Sequence, residues 1–137
     1  MRLLIDSDVL LDVALERAEF VIESVAVLDW CERHGNSGWL GWHSLANVHY
    51  VGRRIRGDPV VRDFLREILT FLAVPPTDEV MARQALGLPI ADFEDALQVV
   101  SALAAKADFI VTRNTADYRR SPVPAVTPAA FLRRART

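Results

Sequence analysis

The chain has 137 residues but a single cysteine, Cys31, and a single lysine, Lys106. One cysteine excludes a disulfide framework, and Cys31 with His34 supplies half a zinc spacing with no second half. One lysine means that any chemistry needing an amine must use Lys106 or a partner's residue. No uncharged apolar run approaches the roughly 20 residues of a membrane span. Asp6, Asp8 and Asp12 interrupt the apolar N-terminus too soon for a secretion signal. These absences lead to the expectation of a cytoplasmic protein without a membrane partner. Six glycines and seven prolines are too few for a collagen-like or disordered chain, and 51% apolar residues suffice for one real core. A net charge of −2 excludes a generally basic nucleic-acid coat. Neither a repeat nor a linker divides the chain, so residues 1–137 read as one domain.

The charge that is present is unevenly placed. Residues 1–50 carry eight acids and three bases, whereas residues 51–137 carry ten acids and thirteen bases. Apolar runs at 2–5, 39–42, 71–74, 109–111 and 125–126 read as short strands. Helical spacing at 9–15, 20–34, 44–55, 60–69, 78–86, 92–106 and 128–136 lies between them, with breakers at 35–38, 57–59 and 87–89. Ser44 is the expected N-cap of the helix at 44–55. Strands alternating with helices predict an α/β fold, a mainly parallel sheet of about four or five strands covered by helices on both faces.

In such sheets, ligands collect beyond the carboxyl ends of the strands. The first strand runs into Asp6-Ser7-Asp8, and the strand at 109–111 runs into Thr112-Arg113-Asn114, with Asp117 three residues on. Asp92 and Asp95 share one face of the first turn of the helix that feeds that strand. Asp6, Asp95, Asp117 and Asp92 can therefore converge on one cleft, where mutual repulsion calls for a hard divalent cation. Simpler roles compete for each residue. Asp92 fits an N-cap, Asp8 fits a cap before Val9-Leu10-Leu11, Asp117 can brace a turn, and Glu94 reads as a solvated charge favouring the helix dipole. Asp6 is harder to dismiss, because a carboxylate ending a buried strand is costly without a partner. His43 beside Ser44 lacks a third member, His49 reads as a packed or surface residue, and Trp30, Trp39 and Trp42 read as core or interface.

Four segments together resemble the PIN-domain family: LLIDSDVLLD at 3–12, SLANVHYVGRR at 44–54, DFEDALQVVSAL at 92–103 and FIVTRNTADY at 109–118, followed by TPAAFL at 127–132. The resemblance implies a metal-dependent ribonuclease of the kind that forms the toxin half of a toxin–antitoxin pair. By position, it makes Asp6, Asp95 and Asp117 the catalytic, metal-holding acids, with Asp92 a further ligand. Asn114, Asn47 and Thr112 become auxiliary residues. Asn47 departs from the pattern, since this helix commonly supplies a glutamate, and a neutral amide gives the cation one charge less.

The resulting expectation is an endoribonuclease for single-stranded RNA using one or two Mg²⁺ or Mn²⁺ ions. Arg53, Arg54, Arg56, Arg113, Arg119 and Arg120 are the candidate phosphate contacts. An antitoxin and a homodimer are the expected protein partners. A non-catalytic RNA-binding or protein-interaction module is the alternative that Asn47 favours. A phosphatase is a third reading, since DSDVL resembles the DxD nucleophile loop of haloacid-dehalogenase-like enzymes; that resemblance implies a lysine facing the phosphate, and Lys106 closes its helix at the wrong end.

Overall fold

The computed structural model describes residues 1–136. Five short strands alternate with helices: β1 (Leu3–Ile5), α1 (Ser7–Ala14), α2 (Val21–Arg33), β2 (Gly38–Trp39), α3 (Trp42–Arg56), α4 (Asp58–Ile68) and β3 (Leu72–Ala73). Then follow α5 (Glu79–Gly87), α6 (Phe93–Ala104), β4 (Phe109–Val111), a 3₁₀ turn (Thr115–Tyr118), β5 (Ala125–Val126) and α7 (Pro128–Ala135). The strands form one sheet in the order β3-β2-β1-β4-β5, every pair parallel. The expected α/β architecture is thus the observed one. Leu3, Leu4 and Ile5 pair with Phe109, Ile110 and Val111, which brings the two polar strand ends side by side.

The twofold period of a strand sends alternate residues to opposite faces. On one face, Leu3, Ile5 and Val111 pack with Val9 and Leu10 of α1, Val27 and Cys31 of α2, and Phe131 of α7. On the other, Leu4 and Ile110 meet Val99 and Ala102 of α6. Gly38 is required by close approach, since a Cβ there would stand 2.4 Å from Leu72 Cδ2 and 2.8 Å from Cys31 Sγ. Burial pushes the Cys31 thiol up to about 12, so it stays an inert core group.

Three local expectations are corrected. The apolar run at 39–42 is strand only as far as Trp39, because the chain is already helical at Trp42. Gly41 holds the cap position of α3 without a side-chain bond, while Ser44 is buried inside the helix. Asp8 is not the cap of α1: Asp6 is, accepting a bond from Ser7 N. β1 ends at Ile5, so the cap falls to the first acid after it. The break at 57–59 is made by Gly57 (φ 85°), a left-handed turn that suits glycine, and Asp58-Pro59 opens α4 with proline near N1.

Candidate active site: an acidic cleft at the carboxyl edge of the sheet

Asp6 stands where β1 meets α1, and only 5% of it is exposed. Its Oδ1 accepts from Ser7 N (2.7 Å) and Gln98 Nε2 (3.1 Å), and its Oδ2 accepts from the Tyr118 hydroxyl (2.8 Å). The same hydroxyl lies 3.1 Å from Asp95 Oδ1. A phenol has one hydrogen, so it serves one carboxylate fully and leaves the other facing an oxygen, unless that carboxyl is itself protonated. Burial, then Asp8 and Glu94, raise the Asp6 pKa to about 7. Burial and then Asp92 raise that of Asp95 to about 6. Burial and both aspartates push the Tyr118 hydroxyl far upward, so it stays protonated.

Asp92 caps α6 by accepting from Asp95 N at 3.0 Å, the simpler role weighed for it. It also lies in the cleft, and one ligand oxygen from each of Asp92, Glu94 and Asp95 falls within 4.8 Å of the others. Asp117, exposed on the 3₁₀ turn, faces the same space. This cleft of about 400 Å³ is also lined by Asp6, Asp8, Asn47 and Asn114. Asp92, Asp95 and Asp117 are shared with an adjoining groove of about 620 Å³, whose other walls include Ile90, Arg119 and Arg120.

The cleft thus gathers Asp6, Asp92, Asp95, Asp117, Asn47 and Asn114 from distant parts of the sequence. Thr112 lies buried beneath it: its hydroxyl donates to Asp8 Oδ2 (3.3 Å) and accepts from Asn114 N (3.1 Å). Asp8 Oδ2 also accepts from Arg113 N and Asn114 Nδ2, both at 3.1 Å, so this acid braces the loop after β4.

The arginines divide. Arg113 is turned away from the cleft, with Nε on Asp12 Oδ2 (2.7 Å) and its guanidinium 4.0 Å above the Phe20 ring. Asp12, fully buried, also pairs with Arg17 Nη1 at 3.2 Å. Arg53 and Arg54 pack against the Tyr50 ring, and Arg56 donates to Ala14 O at 3.1 Å. None of these three lines the cleft or the groove.

Sequence reasoning missed Tyr118, Gln98, Ser7, Ser44 and the placement of Glu94. Glu94 is half-buried rather than solvated, and burial is the main cause of its raised pKa. A signal existed: Glu94, Gln98 and Ser101 form an i, i+4, i+7 polar stripe on a helix whose only other polar residue is Asp95, and two of the three are buried. His43 Nε2 stands 3.8 Å from Glu94 Oε1, and burial lowers its pKa to about 4, so the ring is neutral at pH 7.

A donor set made of carboxylate, amide and hydroxyl oxygens, holding buried acids whose ionisation is suppressed, suits a hard divalent cation. A five-stranded parallel sheet with such a cleft beyond β1 and β4 is the architecture of an α/β protein with a metal-type acidic centre. The PIN domain model matches residues 2–116, and the chain belongs to the PIN domain family. PIN domains are typically metal-dependent nucleases. No curated protein and no solved structure matches the chain.

Proposed function

We propose that the protein is a divalent-metal-dependent endoribonuclease cutting single-stranded RNA, and the toxin of a toxin–antitoxin pair. The observation that carries the reading is the pairing of Asp6 and Asp95 on one Tyr118 hydroxyl, a cluster short of positive charge. Asp6, Asp95 and Asp117, with Asp92, would hold one or two Mg²⁺ or Mn²⁺ ions, which when bound supply an activated water and neutralise charge on the attacked phosphodiester. Tyr118 and Gln98 fix the Asp6 carboxylate from two sides. Asp8 and Thr112 hold the Asn114 loop against the cleft.

Arg17, paired with Asp12, lines the acidic cleft itself, and Arg119 and Arg120 line the groove that opens onto it, so these three are the best-placed phosphate contacts. Arg53 and Arg54 lie in the basic last turn of α3, outside the cleft and the groove, and Arg113 is held by Asp12. Trp42, Tyr50, Ile55 and Val60 leave apolar surface on α3 and α4, which supports a homodimer. An antitoxin would supply an arginine or lysine to the acidic cleft, competing with the metal. The cell's cytoplasm is the compartment in which such an activity has its substrate.

The test is cleavage of a labelled single-stranded RNA by wild type, Asp6→Asn and Asp95→Asn, with Mn²⁺ and with EDTA. Wild type should cut only with metal, and each variant should lose cleavage while staying folded. Two folded variants cutting at the wild-type rate would remove the assignment.

A further inference from the structure

Glu94 is held as no solvated glutamate needs to be. Its Oε1 accepts from Ser7 Oγ at 3.0 Å, Asn47 Nδ2 at 3.3 Å and Gln98 Nε2 at 3.3 Å. These donors come from α1, α3 and α6, so three helices converge on one carboxylate oxygen. Oε2 receives no hydrogen bond from any described residue. Gln98 Nε2 also touches Asp6 Oδ1 at 3.1 Å, which ties Glu94 to the acid at the end of β1. Its burial is costly, because Asp92 adds repulsion to desolvation. A carboxylate merely filling the first turn of a helix would turn to water and avoid that cost.

The arrangement also changes what Asn47 does. Read from the sequence, its amide oxygen is an uncharged substitute for a carboxylate ligand. In the structure, its Nδ2 is spent on Glu94. Resting on the metal-site reading above, we propose that Glu94 is a further ligand of the divalent cation, and that Asn47 is a positioning residue that holds it. The charge absent from α3 is then delivered by α6.

The inference is tested by titrating Mn²⁺ into metal-free protein, read by calorimetry and by thermal shift without RNA. Glu94→Gln keeps an acceptor for the three donors and removes one charge. Mn²⁺ affinity should fall at least tenfold, and the metal-free melting temperature should hold or rise. Asn47→Ala should cost about tenfold, the size usual for a residue that orients a ligand. The double variant should bind no more weakly than Glu94→Gln alone, because Asn47 acts only through Glu94. If Glu94→Gln fails to fold, Glu94→Asp, which draws the carboxylate back by one methylene, should fold and show the same loss. Wild-type Mn²⁺ affinity in Glu94→Gln or Glu94→Asp, or a fall in metal-free stability alone, would overturn the ligand assignment. Additive losses in the double variant would overturn the role of Asn47. Asp95→Asn separates the two levels. If it loses Mn²⁺ while Glu94→Gln does not, only this inference fails; if wild type binds none, the metal-site reading fails and this one with it.

Discussion

Replacing Asp6 by asparagine should make the metal-free protein more stable, and the gain should depend on pH in a stated direction. In the folded chain the Asp6 carboxyl titrates near 7 instead of its ordinary 3.8. The folded form therefore holds a proton that the unfolded chain releases. Below about pH 4 both states are protonated and nothing is lost. Between about pH 4 and pH 7 the folded state is progressively penalised, and above that the cost is constant. A displacement from 3.8 to about 7 corresponds to about 4 kcal/mol as a ceiling. Redistribution of protons among Asp8, Glu94 and Asp95 reduces it to about 2 kcal/mol or somewhat more.

Asparagine keeps the geometry. Its oxygen can accept from Ser7 N and Gln98 Nε2, and its amide can donate to the Tyr118 oxygen, freeing that hydroxyl for Asp95. Urea denaturation in EDTA should show equal stability for variant and wild type at pH 4. At pH 8 the variant should lead by about 2–4 kcal/mol, roughly 6–12 °C in melting temperature. Mn²⁺ should raise wild type and not the variant, narrowing the gap. A variant less stable than wild type at pH 8, or a gap that does not change with pH, would refute the reasoning.

Asn47→Asp sets a carboxylate oxygen where Nδ2 now stands 3.3 Å from Glu94 Oε1, a raw repulsion of about 5 kcal/mol at an effective dielectric near 20. Proton uptake limits the loss, so metal-free stability should drop by about 2–3 kcal/mol at pH 8 and recover as pH falls to the ordinary carboxyl value of 4.5, followed by urea denaturation. Arg113→Ala removes one of the two cations on buried Asp12 and the packing over Phe20, and should cost about 2–3 kcal/mol in the same assay. Arg119→Ala with Arg120→Ala should raise KM for RNA several-fold with kcat little changed. It should also flatten the log–log salt dependence by about 0.7 for each phosphate that an arginine no longer neutralises.

The strands at the centre of the sheet were legible because their apolar runs stop abruptly at polar residues, Ile5 at Asp6 and Val111 at Thr112. That same boundary disclosed the acids at the carboxyl edge. The start of α3 was not legible: Gly41 caps it without a side chain, and Ser44, whose type signals a cap, uses its hydroxyl in a tertiary network with Ser7 and Gln98. Asp8 and Asp6 are both plausible caps by type, and only the end of β1 decides between them. Glu94 read as solvated because the polar stripe it makes with Gln98 and Ser101 marks a helix face without revealing that α1 and α3 close over it. Tyr118 gave no warning either. A tyrosine at the end of a short turn becomes a bridge only once β1 and α6 bring two carboxylates to it.

The central pairing of β1 with β4 has a bearing on when the molecule acquires its cleft. Asp6, Ser7 and Asp8 are synthesised well before Asp95, Asn114 and Tyr118, which lie far downstream in the sequence. At 5–20 residues per second, roughly 5–20 s separate the synthesis of Asp8 from that of Tyr118. Throughout that interval no nascent chain, however well its first helices fold, can bring the two halves of the acidic centre together.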